Sequence, residues 1–180
     1  GIYWMTRDRV NDLGEGMLFA DTDEVSRAFS TGAVGLQSKV RVRVNERVIN
    51  DDGEIEARSG VHETTVGRVL VYEIVPEGIS FDEVNKTMVN KDMSRLINLC
   101  YRRVGLKETV IFADQLMYMG YQYSTRSGAS IGVEDFVIPA EKADIINRSE
   151  NEIREIESQF ASGLVTQGEK YNKVIDIWTR

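Results

Sequence analysis

The side chains that could do chemistry in this sequence are few and scattered. Asp21, Asp23 and Glu24 put three carboxylates within four positions, a grouping able to hold a cation. The same acids suit a helix start, where they accept orphan amides and oppose the positive end of the dipole. A short helix is expected over 23–29, capped by Thr22 or Asp21, so capping is the better reading. Lys39, Arg41 and Arg43 alternate with Val40, Val42 and Val44. Such a face is either a nucleic-acid track or the solvated side of a sheet, and no aromatic residue is interleaved to favour the first. His62 is the sole histidine and has no Cys or Ser partner in view, so catalysis is not expected of it. The single Cys100 excludes an internal disulfide, fits a reducing compartment and reads as a buried thiol in a helix. The glycine-bearing loop 127–135 could cradle a phosphate, alone or with Lys107 and Asp114. Its spacing matches neither a P-loop nor a dinucleotide fingerprint. No nucleophile, base and metal set comes with it.

These residues need elements to hold them. Residues 1–21 read as short strands around a turn at Asn11-Asp12-Leu13-Gly14, with Met17-Leu18-Phe19-Ala20 a buried strand. Strict alternation over 39–44 makes a half-buried strand. Asn50-Asp51-Asp52-Gly53-Glu54 is a turn by composition and lacks the ligand spacing of a calcium loop. A return strand rich in β-branched residues is expected over 64–75, broken at Gly67 and stopped at Pro76. Residues 33–76 then form a small antiparallel sheet. A helix over 91–104 follows, with Met93, Leu96, Ile97, Cys100, Tyr101 and Val104 on one side and Gly105 ending it. A second, over 108–126, carries Val110, Ile111, Phe112, Leu116, Met117 and Tyr121 around much of its circumference, and is expected to be the buried centre.

The last stretch, 139–180, is the most patterned. Ile145, Ile146, Ile153, Ile156 and Phe160 form a narrow apolar seam in a highly charged helix. Tyr171, Val174, Ile175 and Trp178 repeat it on a return arm. Gly163 suits a helix C-cap, and Thr166 with Glu169 fits a capping box. The expectation is a projecting antiparallel two-helix coiled coil, its first arm roughly 35 Å long. The fold class is α+β, in three parts: strand-rich 1–90, a helical base 91–138, and the hairpin 139–180.

Composition narrows the function classes. With 42% hydrophobic and 28% charged residues the chain is an ordinary soluble protein, and no run approaches the roughly 18 apolar residues of a membrane span. A net charge of −7 does not favour gripping nucleic acid, so the default partner is another protein. The chain starts on an apolar run without Met and stops at Trp178-Thr179-Arg180 without a helix-stop signal, as if cut from a longer polypeptide.

Several blocks resemble the largest catalytic subunit of multisubunit RNA polymerase, the bacterial β′ family. They are Gly1-Ile2-Tyr3-Trp4-Met5-Thr6-Arg7-Asp8, Phe19-Ala20-Asp21 with Glu24-Val25, Phe112-Ala113-Asp114-Gln115, and Arg126-Ser127-Gly128-Ala129-Ser130-Ile131-Gly132 with Asp135 and Pro139. The last are Gly163-Leu164-Val165-Thr166 and the run from Gly168-Glu169-Lys170 to Ile177-Trp178. The resemblance runs over nearly the whole chain and implies a cytoplasmic piece of a DNA-directed RNA polymerase, from the pore and funnel region lining the secondary channel. The family's Asn-Ala-Asp-Phe-Asp-Gly-Asp loop, which holds magnesium, and its zinc-binding cysteines are not in this sequence. Those metals are implied for the whole subunit, with no cofactor and no catalytic residue here.

The resemblance also implies partners: the β, α and ω subunits, and Gre-type and DksA-type regulators at the hairpin. DNA, RNA and nucleoside triphosphates belong to the whole enzyme, and no membrane is involved. Leu164, Val165, Glu169, Lys170 and Lys173 are the implied docking residues. Lys107, Ile111, Asp114 and Tyr118 match half of a guanosine tetraphosphate site. Asn172 and Lys173, with Tyr171 as neighbour, match half of a second. On residue pattern alone, Ile111 and Tyr118 read as core positions with flanking charges. The rival to the polymerase reading is a free-standing adaptor presenting the hairpin to protein partners.

Overall fold

The computed structural model describes residues 1–50 and 52–179; Asp51, inside the expected 50–54 turn, and Arg180 lie outside the described residues. Two compact units emerge, one of Gly1–Ala129 and one beginning at Ser130. The fold class is α+β, as the sequence pattern led us to expect.

The first unit is built on a three-stranded sheet in the order β1 (Leu18–Phe19), β2 (Lys39–Ile49), β3 (Ile55–Thr65). β2 and β3 pair antiparallel along their full length, from Lys39 opposite Thr65 to Ile49 opposite Ile55. β1 runs parallel to β2, so the sheet is mixed and not purely antiparallel. The alternation of β2 is reproduced residue by residue. Val40, Val42, Val44 and Val48 are buried, while Lys39, Arg41, Arg43 and Arg47 face out. Successive strand side chains take opposite faces, so one valine stripe is enough to fix which face turns inward.

Two expected strands are helices. Ile2–Thr6 forms α1, burying Ile2, Met5 and Thr6 at helical spacing. The expected strand over 64–75 stops at Thr65, and Val66–Tyr72 continues as α3, with Val66, Gly67, Val69, Leu70 and Val71 all buried. Tertiary packing overrides the β-branched preference here. Gly67 is where α3 meets α1. A Cβ built on it would lie 1.8 Å from the Met5 carbonyl oxygen, so no other residue fits.

Thr22–Ser30 is α2. Asp21 is its N-cap and accepts the Glu24 amide at 2.7 Å, while Glu24 Oε2 accepts the Ala20 amide at 2.6 Å. Asp21 and Glu24 thus cap the helix start, and Asp23 lies in its first turn. α4 (Asn90–Val104) and α5 (Leu106–Arg126) follow and pack on each other, with Gly105 between them. One core cluster joins sheet and helices through Met5, Phe19, Val25, Val42, Val69, Phe81, Leu96, Cys100 and Phe112.

The second unit contains α6 (Lys142–Ala161) and α7 (Gln167–Trp178), packed on each other. Its 20-residue first helix is about 30 Å long. Ile156 and Ile177 are its buried apolar side chains, so the seam read from the sequence is narrow indeed.

Candidate functional site

α5 carries two kinds of surface. Thr109, Phe112, Leu116 and Tyr123 are buried, at intervals of three, four and seven. Near its middle α5 meets the chain start, where a Cβ on Gly1 would lie 1.8 Å from the Gly120 carbonyl oxygen. Met119 is partly buried against the core, but most of the other apolar residues are not covered. Ile111 is 44% exposed and Tyr118 67%, and Val110, Met117 and Tyr121 are exposed with them. The expectation that this helix is the buried centre is therefore wrong: it buries one stripe and presents another. Ile111 and Tyr118 are not core residues. With the exposed Lys107 and Asp114 they repeat at intervals of four, three and four, which places them on one side of the helix.

The turn between α6 and α7 is held from both sides. Gly163 has φ 74°, and the Leu164 amide donates back to the Gln159 carbonyl at 2.9 Å. Across the turn, Glu169 Oε2 accepts the Thr166 amide at 2.8 Å and the Thr166 hydroxyl at 2.9 Å, while the Glu169 amide donates to Thr166 Oγ1 at 3.3 Å. This is the capping box expected from the sequence. The Thr166 amide, then its hydroxyl, holds the Glu169 carboxyl below the usual carboxylate range. Lys170 is also committed: its Nζ lies 3.3 Å from Glu157 Oε1 and 5.2 Å from the centre of the Phe160 ring. Leu164 is 75% exposed, Val165 is half-buried, and Tyr171, Asn172 and Lys173 are exposed. Of the five docking candidates, Glu169 and Lys170 thus build the turn, while Leu164 and Lys173 are presented by it.

The other candidates serve structure. His62 stacks edge-on to Phe81 with ring centres 5.2 Å apart, and its Nδ1 is 3.7 Å from Asp82. Cys100 is fully buried, and burial pushes its thiol up to about 11. Lys39 pairs with Asp8 at 2.9 Å, a contact that draws the Asp8 carboxyl down. In the 127–135 loop, Ser127 Oγ donates to the Ser124 carbonyl and Asp135 accepts the Gly132 amide, each at 2.7 Å. Lys107 and Asp114 belong to one unit and 130–135 to the other. No group of three or more His, Cys, Asp and Glu among the described residues could hold a metal ion. No helix among them is long and apolar enough to cross a membrane.

Two residues were missed by spacing arguments. Glu46 is 8% exposed and accepts the Phe81 amide at 2.6 Å, fastening the 79–89 segment to β2. Burial, reinforced by that carboxylate, pushes the Tyr72 phenol up to about 12. Arg68, half-buried, donates from Nε to the Thr6 carbonyl at 2.9 Å. Neither has a sequence signal: Arg68 lies in a run that reads as strand, and Glu46 falls beyond the alternation of 39–44.

Comparison with known proteins adds the context that geometry lacks. The family described as RNA polymerase Rpb1, domain 3, matches residues 1–136. Over all 180 residues the chain is 62% identical to the DNA-directed RNA polymerase subunit beta' of Saccharophagus degradans and 62% identical to that of Cellvibrio japonicus. It is 60% identical to that of Pseudomonas paraeruginosa. All of this chain is covered in each case, and it spans 13% of the length of these relatives.

Proposed function

The chain belongs to the family of RNA polymerase Rpb1, domain 3, and on that footing we propose that it works as a segment of the β′ subunit of a cytoplasmic DNA-directed RNA polymerase. Its part in transcription is to line the secondary channel and to dock regulators there. Nucleotide addition, with its magnesium, and the structural zinc belong to other parts of such a subunit. Partners of the assembled enzyme are the β, α and ω subunits, DNA, RNA and nucleoside triphosphates. The helix pair α6–α7 then acts as the channel's coiled coil, a fixed post for Gre-type and DksA-type factors.

The observation that carries the docking role is the rigid turn with an unsheltered leucine at its end. Gly163 and the Thr166–Glu169 box fix the backbone, while Leu164 stays 75% exposed. An apolar anchor on a preorganised turn binds without a large ordering cost. Lys173 supplies charge beside it. The exposed series Lys107, Ile111, Asp114 and Tyr118 is read as half of a guanosine tetraphosphate site. A lysine suits a diphosphate, and a carboxylate suits the guanine N–H edge. Asn172 and Lys173, beside Tyr171, are read as half of a second.

A photo-crosslinking residue at position 164 of a β′ subunit, assembled with its partner subunits, tests the docking role. Crosslinks to an added Gre-type factor are expected. Their absence, with crosslinks formed from control positions elsewhere in the channel, refutes it.

A further inference from the structure

The first unit holds an open cleft of about 440 Å³ lined by Asp8, Lys39, Arg41, Thr64, Thr65 and Arg68. Nothing in the proposed docking role uses it. Arg68 is the unusual member. Its guanidinium is half-buried, yet among the described residues no carboxylate lies within 4.0 Å of it. Its protein partners are neutral: Nε donates to the Thr6 carbonyl at 2.9 Å and Nη2 to Thr87 Oγ1 at 3.4 Å. Burial makes its proton easier to lose, and Asp8, which pairs with Lys39, offsets only part of that cost from beyond 4.0 Å.

Behind this wall Thr64 and Thr65 are 3% and 1% exposed, and the Oγ1 atom of each is buried without a hydrogen-bond partner. Thr64 lies opposite Val40 on the inward face of the sheet, so these hydroxyls back the cleft and do not open into it. Arg41 faces Glu63 across the strand pair without closing to an ion pair within 4.0 Å, so it too has donors to give.

The acids at the rim are partly spent. Asp8 pairs with Lys39 at 2.9 Å, and Glu15 Oε2 accepts the Asn11 amide at 2.6 Å. Glu63 remains, and it sets a limit: the ligand must bring enough negative charge to compete with it.

We propose that this cleft is a binding site for a phosphoryl group, gripped by the Arg68 and Arg41 guanidiniums. Guanidinium forks match the tetrahedral oxygens of phosphate, and a dianion outcompetes one carboxylate where acetate does not. The group arrives either as free phosphate or on a nucleotide. The cleft has room for either.

The test is a titration of the 180-residue chain, followed by proton–nitrogen spectra that include the arginine side chains. Inorganic phosphate, a nucleoside monophosphate and acetate are added in separate arms. Saturable shifts at Arg68 and Arg41 with phosphate, and none with acetate, are expected. Equal affinity for both phosphates makes the phosphoryl group the ligand, and tighter binding of the nucleotide makes that its carrier. Arg41→Gln and Arg68→Lys should each weaken binding about tenfold or more. Arg68→Lys loses a contact to the Thr6 backbone and can fail to fold; Arg41 is exposed, so Arg41→Gln then decides. Absence of saturable shifts with either phosphate overturns the proposal, as do shifts confined to surface lysines or affinity unchanged in Arg41→Gln.

Discussion

Replacing Thr166 by alanine is the sharpest probe of the α6–α7 turn. The change removes the hydroxyl that donates to Glu169 Oε2 at 2.9 Å and accepts the Glu169 amide at 3.3 Å. The backbone bond from Thr166 to the same carboxylate, 2.8 Å, remains. Loss of a threonine N-cap costs about 1 kcal/mol. That is a large share of what holds this unit. Its buried apolar side chains are Ile156 and Ile177, each worth roughly 1.5–3 kcal/mol. Local opening of α7 should become about fivefold more frequent. Native-state hydrogen exchange reads it directly: the α7 amides should speed up by that factor, while those of β2 and α4 stay unchanged. Unaltered exchange in α7, or equal acceleration in both units, refutes the reasoning.

Two further outcomes follow from the same geometry. The Tyr72 phenol, pushed up to about 12 by burial and by Glu46, should stay protonated while exposed tyrosines ionise near 10. Its folded value is raised, so the stability it contributes is complete below pH 10 and is lost between about pH 10 and 12. Urea titrations across that window should show a smaller loss in Tyr72→Phe than in the wild type, the remainder coming from the buried Cys100 and Tyr123, whose values burial also raises; equal slopes would contradict it. At Lys107, Tyr118, Asn172 and Lys173 guanosine tetraphosphate should bind the 180-residue chain weakly or not at all, because each proposed site is a half; tight binding read from resonance shifts of those residues would refute the half-site reading.

Much of the architecture is legible in the sequence because it rests on local periodicity. The valines of β2, the cap at Thr166, and the narrow seam of α6 and α7 each follow from a spacing rule, while the structure chooses Asp21 over Thr22 as the cap of α2. The failures share a cause. Val66 to Val71 read as strand because β-branched residues favour one, yet close packing of Gly67 on the Met5 carbonyl holds a helix there. α1 was read as strand because five residues carry too little period to distinguish the two. α5 has apolar residues on several sides, and sequence does not tell a helix buried all round from one that leaves Ile111 and Tyr118 uncovered. Arg68 and Glu46 were invisible because their significance lies in burial and in contacts distant along the chain. The Glu169 and Lys170 side chains were expected at the docking surface. The structure shows what each also does locally: one closes the cap, the other pairs with Glu157.

The central claim is that the α6–α7 turn docks a regulator through Leu164. Isothermal calorimetry of a Gre-type factor against the chain and its Leu164→Glu variant tests it most directly. Leu164 is 75% exposed, so the substitution should leave helix content and thermal stability unchanged. The account predicts binding to the wild type and a loss of about 1–3 kcal/mol in the variant. No binding to the folded wild type, or equal affinity for both, would contradict it.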